Sequence, residues 1–552
     1  MTNLFLDPIL ARWKSDPDRL FAQFYTDGDW SSISYDQLMQ RAIQFARLIC
    51  NAGSGQGDIV CVILEYGLDA HAAFLGGMLA GAAPSFLPHP NIKQDPALYW
   101  KQHREIFTLI GVKAIVVYDE LKEPVAQALG DRKVAVIAAS QTAANAEPWT
   151  LPPPTSEAVA LVQHSSGTTG LKKGTALTYA AICGQIESYA RAIALADVAD
   201  PVVATWLPLY HDMGLISSFL MPLWLGIPIV GIDPFKWVAR PPLLFEAVQK
   251  FRATHLWSPN FSFHHLVRTA PKGARYDLSS IRMIVNCSES CKPAAFDRFL
   301  ERFSSAGVTA QTLQTCYAMA ETVFAVSQSA PDRPVRRLEI DSSCITALES
   351  VRPPRQKADA VTLLSNGRPI RGCEVSILRD GTFVGEGEIG EICVRASFLF
   401  AGYYKNEQAT RDAFVADWYR TGDLGFLDHG EVFLVGRLKD LIIVNGKNVF
   451  AHDVEAALGG IPGLKPGRAV AFGNFVEALG SEQLVVVAER DGVVENMPEM
   501  IADINRVVLN EIGIPCGDIR IVEQGWLVKT TSGKISRSLN NTKYAQTFRD
   551  KR

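Results

Sequence analysis

The sequence carries no surplus of positive charge. Its 54 lysines and arginines stand against 58 aspartates and glutamates, a formal charge of −4 over 552 residues. A general nucleic-acid binder needs a cationic surface to displace counterions, so that class is disfavoured and only a local basic patch for an acidic partner is left open. Paired cysteines are missing too. The ten cysteines follow no regular spacing; the nearest two, Cys287 and Cys291, do not form a CxxC pair and have no second pair at zinc-site distance. They read as reduced, mostly buried thiols of a cytoplasmic protein. His264 and His265 are adjacent, and neighbouring side chains on a helix do not share a face, which argues against a metal site there. The opening residues hold neither a basic segment nor an apolar run, so no signal peptide is expected. One stretch, residues 213–232, lacks charge over the length of a membrane span. It contains Pro222, Gly226, Pro228 and Gly231 between Asp212 and Asp233, and a buried helix, a turn and a core strand account for it better. Internal repeats and low-complexity tracts are absent, and GxxxxGK[ST] fits nowhere in the phosphate-type loop described below.

What is present points to more than one domain, since 552 residues exceed a single ordinary core. Ser34 and Gln37 form a capping-box pattern ahead of Leu38, Ala42, Phe45 and Ile49, which share one helix face. Residues 59–64 are an unbroken apolar run and read as a strand buried on both faces. Residues 112–117, 134–137 and 158–162 repeat the theme, and strands alternating with helices indicate a parallel sheet of the α/β class. After about residue 365 the texture changes to short strands, 374–378, 388–394 and 431–435, with Asp428-His-Gly430 as a hairpin turn. A last unit follows, with helices near 452–458 and 498–511 and strands at 484–488 and 519–522. The expected fold is a large N-terminal domain of parallel α/β subdomains plus a small β-subdomain, residues 1–437, followed by a small mobile α+β domain, residues 438–552.

The most informative segment is His164-Ser-Ser-Gly-Thr-Thr-Gly-Leu-Lys-Lys-Gly174, directly after an apolar strand. Its glycines let the backbone turn its N–H groups toward an anion. Four hydroxyls and two lysines add donors, so a polyphosphate is the natural ligand. A flexible surface loop would have the same composition. Five further segments decide between the two: Trp206-Leu-Pro-Leu-Tyr-His-Asp-Met-Gly-Leu215, Tyr317-Ala-Met-Ala-Glu-Thr322, Tyr419-Arg-Thr-Gly-Asp-Leu424, Gly436-Arg-Leu-Lys-Asp440 and Ser532-Gly-Lys-Ile535. In this order they resemble the signatures of the acyl-, aryl- and peptide-adenylating superfamily. The loop departs from that pattern at His164, Ser165 and Lys172, where an aromatic, a threonine and a proline are commoner.

The resemblance implies activation of a carboxylic acid by ATP and Mg2+. Two anions must meet in that reaction, so directed donors and positive charge have to screen them. It assigns Ser165, Ser166, Gly167, Thr168, Thr169, Gly170 and Lys173 to the phosphates, Thr168 among the catalytic groups, and Glu321 to the metal ion. Tyr317 offers a flat face to adenine, with Ala318, Met319 and Ala320 beside it and Cys287, Ser288 and Glu289 lining the same pocket. Asp423 and Arg437 fall to the ribose, His211 to the reacting carboxylate, and Lys534 to the carboxylate and α-phosphate oxygens. Lys439 corresponds to the hinge on which the C-terminal domain turns. Trp257, Asn260 and Phe261 are candidates for an apolar acyl pocket, although Pro259 argues against a continuous helix through Trp257 and Phe261.

Within the superfamily the chain looks most like the fatty acyl-AMP ligases. Trp206 to Ile216 is similar to their WLPxYHDMGLI, residues 436–455 to their GRxKDLIIxxGRNxxPxDIE, and residues 332–368 to a segment they insert, which the resemblance links to restricted motion and poor use of CoA. The departures are Lys447 for arginine, Ala451 for proline, Ala318 for glycine, and Cys287-Ser-Glu-Ser290 for Gly-Ala-Glu-Pro. This implies an acyl carrier protein in trans as acceptor, since only a short tail follows Lys534. An acyl-CoA synthetase and a non-catalytic nucleotide-binding homologue remain the alternatives; Glu321, Asp423, Arg437 and Lys534 speak against the second.

Overall fold

The hydroxyl of Ser34 accepts from the Gln37 backbone N–H at 3.2 Å, and the Gln37 side chain accepts from the Ser34 N–H at 2.9 Å. This reciprocal cap starts the helix Tyr35–Asn51, whose apolar side is buried through Leu38, Ala42, Phe45 and Ile49. The computed structural model describes residues 3–90, 96–141, 155–164, 173–288, 291–444, 447–476, 481–492, 496–529 and 535–549.

Two sheets of the α/β kind make up most of the first half. A four-stranded, wholly parallel sheet runs in the order Ala83–Phe86, Ile59–Ile63, Ala114–Val117, Ala135–Ala138. Every residue of Ile59–Ile63 is buried, as an apolar run without alternation requires. A nine-stranded sheet has a parallel centre, from Leu313–Ala318 through Met283–Asn286, His255–Ser258, Val203–Thr205 and Ile229–Ile232 to Leu20–Thr26. Antiparallel strands close both of its edges. The chargeless stretch becomes a π-helix Met213–Leu220, a helix Met221–Leu225, a turn and the strand Ile229–Ile232. Among the described residues no helix is long and apolar enough to cross a membrane.

One strand corrects the sequence reading. Residues 158–162 were expected to continue the parallel sheet, but Val159–His164 pairs antiparallel with Gly174–Thr178. Only nine residues separate the two strands in the sequence, and a parallel return needs a crossover of a dozen or more.

The small β-subdomain is a six-stranded sheet around Cys373–Arg379, Gly390–Ala396 and the long strand Trp418–Asp428, which pairs with Glu431–Arg437. At their turn His429 and Gly430 both have positive φ, 53° and 73°, the combination a two-residue hairpin favours. Residues 332–368 add the pair Arg337–Asp341 and Ala360–Leu364 with a short helix Ser342–Ala347. Beyond Asp440 a hairpin, Leu441–Val444 with Lys447–Phe450, leads to the sheet Leu464–Val476, Ser481–Arg490, Asp518–Val522. Its two faces bury separate clusters, Ile442, Val486 and Ile504 on one side and Phe472, Val487 and Tyr544 on the other.

Two of the histidines buried in the larger half bear on its response to pH. His71 is fully buried among Phe21, Phe24, Tyr66 and Phe219, with Nδ1 2.7 Å from Gly67 O. His255 packs in the nine-stranded sheet, Nδ1 2.9 Å from Thr254 Oγ1. Burial pushes both down to about 4. Below their ordinary range the unfolded chain takes up protons that the folded one refuses, so stability is full above about pH 6.5 and falls as pH drops toward 4. The thermal midpoint is expected to decline already between pH 6.5 and 5, before carboxylates titrate. A flat midpoint across that window would show that both rings take protons in place.

Candidate active site

The strand Val159–His164 leads into the loop expected to bind phosphates, and Gly174–Thr178 follows it, with His164 opposite Gly174. Ser165, Ser166, Gly167, Thr168, Thr169 and Gly170 lie outside the described residues, as do Glu289 and Lys534. Lys173 is the first described residue after the loop. Its Nζ sits 4.3 Å from the centre of the Tyr403 ring, within cation–π range. Tyr403 is held there by backbone pairing. The strand Gly402–Tyr403 adds to Gly174–Thr178 with Tyr403 opposite Thr175, and Tyr404 N donates to Gly174 O at 2.7 Å.

Glu321 belongs to a 3-10 turn, Ala320–Thr322, immediately after the strand Leu313–Ala318. Its Oε1 accepts from the Tyr403 hydroxyl at 2.9 Å, and the Tyr419 hydroxyl lies 3.2 Å from that of Tyr403. The residue is only 9% exposed. Among the described residues no lysine, arginine or histidine forms an ion pair with it. A buried carboxylate whose described side-chain partner is a phenol is short of positive charge. Val323, two residues on, has φ 64° and ψ −50°. A β-branched residue rarely adopts a positive φ, and such strain costs on the order of 1–3 kcal/mol. Ala318 and Met319 are half-buried and Ala320 is buried on the same turn.

Tyr317 and Asp423 meet beside this turn. The Tyr317 hydroxyl donates to Asp423 Oδ2 at 2.7 Å, and Arg437 Nε lies 2.8 Å from Asp423 Oδ1. Asp423 and Arg437 are register partners across their two strands. Burial, with the Asp423 charge added, raises the Tyr317 hydroxyl well above its ordinary range and keeps it a donor. Each Asp423 oxygen retains a lone pair for a further hydroxyl.

The strand Met283–Asn286 ends at buried Cys287 and at Ser288, which has φ 68°. Ser288 Oγ lies 3.9 Å from Met213 Sδ, so the His211 segment adjoins this loop. His211 is half-buried; its carbonyl accepts from Leu215 N at 2.8 Å at the start of the π-helix. π-turns recur at functional sites. Gly214 is required by a close approach, because a Cβ there would stand 2.3 Å from Pro208 O.

The three acyl-pocket candidates occupy different settings. Asn260 Oδ1 accepts from Asn286 Nδ2 at 2.9 Å and so borders the Cys287 loop. Trp257 lies inside the nine-stranded sheet, 1% exposed, its Nε1 donating to Tyr189 Oη at 2.7 Å. Phe261 is 45% exposed and meets edge-on the stacked pair Trp206 and Trp237. The helix Asn260–Thr269 starts after Pro259, so Trp257 and Phe261 are not on one helix face.

Lys439 is exposed in a 3-10 turn, Leu438–Asp440, between the small β-subdomain and the C-terminal hairpin. Its neighbour Asp440 pairs with Arg537 at 2.6 Å, and Arg537 pairs with Glu455 at 2.7 Å. Phe450 of the hairpin packs with Leu424, Phe426 and Phe433, and with Ile340 and Cys344 of the 332–368 segment. Asn448 Nδ2 donates to Thr346 O at 2.8 Å, and Lys292 pairs with Asp453 at 3.2 Å. Tyr403 was not singled out in the sequence reading. It stands in Ala401-Gly-Tyr-Tyr404, where nothing local marks one tyrosine as special; only the pairing with Gly174–Thr178 does.

Comparison with known proteins gives a consistent picture. A family described as AMP-binding enzyme matches residues 10–404. A medium-chain-fatty-acid–[acyl-carrier-protein] ligase, JamA of Moorena producens, is 29% identical over 549 residues, covering 94% of this chain and 90% of its own. A 4-hydroxyphenylalkanoate adenylyltransferase of Mycobacterium marinum is 28% identical over 539 residues, covering 93% and 86%. Among solved structures, one from a study of fatty acyl-adenylate ligases from E. coli and L. pneumophila superposes with a TM-score of 0.89 at 23% identity, covering 100% of this chain and 99% of its own.

Proposed function

Because this chain belongs to the AMP-binding enzyme family, we propose that it is an adenylate-forming ligase that couples a fatty acid to AMP and then acylates a carrier protein. A carboxylate oxygen of the acid attacks the α-phosphorus of ATP, the bond to the β-phosphate bridging oxygen breaks, and pyrophosphate leaves. The phosphopantetheine thiol, giving up its proton, then attacks the acyl carbon and expels AMP. The observation that carries the reading is the grouping of Lys173, Glu321, Tyr317 and Asp423. The lysine that closes the phosphate loop and a buried carboxylate without a basic partner among the described residues flank one tyrosine, and a hydroxyl-accepting carboxylate adjoins them.

The Glu321 carboxylate, which no described side chain neutralises, fits a hard divalent cation. Mg2+ held there would supply positive charge that screens phosphate oxygens. Lys173 adds positive charge at the β- and γ-phosphates. Tyr317 and Asp423 hold the nucleoside, with Arg437 beside the ribose. His211 gates the acid, and Lys534 draws the carboxylate and α-phosphate oxygens together. Cys287, Ser288, Ala318, Met319 and Ala320 border the base, Lys439 is the pivot at the boundary of residues 1–437 with 438–552, and Asn260 is the acyl-pocket candidate nearest the nucleotide. An ATP- and carrier-dependent reaction belongs in the cytoplasm.

Two observations favour a carrier protein over CoA as acceptor. JamA is named for an acyl-carrier-protein substrate, and the 332–368 segment shares an apolar cluster and a hydrogen bond with the C-terminal hairpin. Such contacts restrain a large turn of that hairpin. The test is incubation with ATP, Mg2+ and acids of graded chain length, followed by CoA or a holo carrier protein offered separately. Acyl-AMP should form and the carrier should be acylated. Acyl-CoA in preference would make the protein an acyl-CoA synthetase, and no adenylate with any acid would leave a nucleotide binder.

A further inference from the structure

Tyr403 touches both charged ends of the phosphate region, yet nothing about the adenylation reaction requires a tyrosine there. Its ring lies under Lys173 Nζ at 4.3 Å, and its hydroxyl donates to Glu321 Oε1 at 2.9 Å. The hydroxyl of Tyr419 lies 3.2 Å from the Tyr403 hydroxyl, so the donor order Tyr419 to Tyr403 to Glu321 satisfies all three groups. The Tyr403 backbone is paired to the strand that leaves the phosphate loop, its ring packs 5.0 Å from Phe400, and Phe400 N donates to Glu321 O at 2.8 Å. Loop exit, carboxylate turn and tyrosine are therefore one mechanically connected piece.

We propose that Tyr403 is a positioning residue that orients the Glu321 carboxylate for a divalent cation and fixes the Lys173 ammonium at a set distance from it. By holding Oε1, the hydroxyl fixes the rotation of the carboxylate and leaves Oε2 for the cation. A carboxylate already held loses less freedom when the cation binds. The ring face holds the ammonium without neutralising it, as a carboxylate partner would, so Lys173 keeps its full charge for phosphate oxygens. The inference rests on the adenylation reading for the identity of the nucleotide and the cation.

Binding measurements on the full chain test it without any acid present. For Tyr403→Phe, which keeps the ring and loses the hydroxyl, the Mg2+ concentration that half-saturates the enhancement of ATP binding should rise about tenfold, in line with a hydrogen bond to a charged group. AMP binding in EDTA should stay within about twofold, because the ring under Lys173 and the Tyr317–Asp423 pair are intact. Tyr403→Leu, which also loses the ring, should in addition weaken metal-free ATP binding severalfold. In a Glu321→Gln background, Tyr403→Phe should produce no further change in Mg2+ dependence, since contacting groups acting on one ligand are not additive. An unchanged Mg2+ requirement in Tyr403→Phe overturns the proposal. So does an equal loss of AMP binding in EDTA, which marks a general packing defect. If Tyr403→Phe does not fold, Tyr419→Phe should shift the Mg2+ requirement in the same direction by a smaller factor, and no shift there counts against the proposal. Failure of the adenylation reading would look different: Mg2+-dependent ATP binding in the wild type with no acyl-AMP from any acid.

Discussion

Glu321→Gln is expected to lower acid-dependent ATP–pyrophosphate exchange by about 10²–10³-fold, the loss seen when one preorganised charge-stabilising group is removed. The substitution keeps the shape, and the amide oxygen still accepts from Tyr403. What it removes is the negative charge that the described side chains leave unneutralised. The folded protein should tolerate the change, because a buried carboxylate lacking a cationic partner is itself costly. The thermal midpoint should therefore hold or rise while exchange collapses, and high Mg2+ should restore part of the rate. Exchange within a fewfold of wild type would remove Glu321 from the reaction.

The second large effect is expected from Lys534→Ala. A lysine suits the meeting point of two anions because it is a compact charge on a flexible stem. Its removal should cut adenylation by about 10²–10³-fold, by the same reasoning that applies to any donor aimed at developing charge. ATP affinity should change only a few fold, because on the proposed reading the β- and γ-phosphates fall to the loop ending at Lys173. Exchange kinetics and calorimetric ATP binding measured on one preparation separate the two. Near-normal exchange would take Lys534 out of the first half-reaction.

How much of this was legible in the sequence depended on the kind of signal. Local rules read well. The Ser34–Gln37 cap, the fully buried run Ile59–Ile63 and the His429–Gly430 turn each follow from chemistry within a few residues. The helix Met497–Ile512 and the strand Ser481–Arg490 also lie where periodicity put them. Strand direction did not read well: an apolar run has the same pattern whether its neighbour is parallel or antiparallel, and Val159–His164 was assigned to the wrong kind of sheet. The thirteen-residue strand Leu464–Val476 escaped notice because Pro466, Gly467 and Gly473 break its alternation, and its pairing slips between Leu464 and Ala469. Of the site, the motif residues Tyr317 and Asp423 do meet, as their order in the chain could not itself show. Tyr403 was invisible because its partners lie more than 80 and more than 200 positions away in the chain.

The pairing of Asp440 with Arg537 bears on how a turn at Lys439 would be transmitted. Arg537 lies three residues after Lys534 in the sequence, and it is fastened at once to Asp440, the residue after Lys439, and to Glu455 on the helix Ala451–Ala457. A backbone rotation at Lys439 that moved the hairpin without Arg537 would have to break both pairs. On the proposed reading of Lys439 as the pivot, the helix Arg537–Tyr544 is thus keyed to the same shaft as Asp440, like a crank and its pin. The angle taken up at one residue would then set where that helix travels.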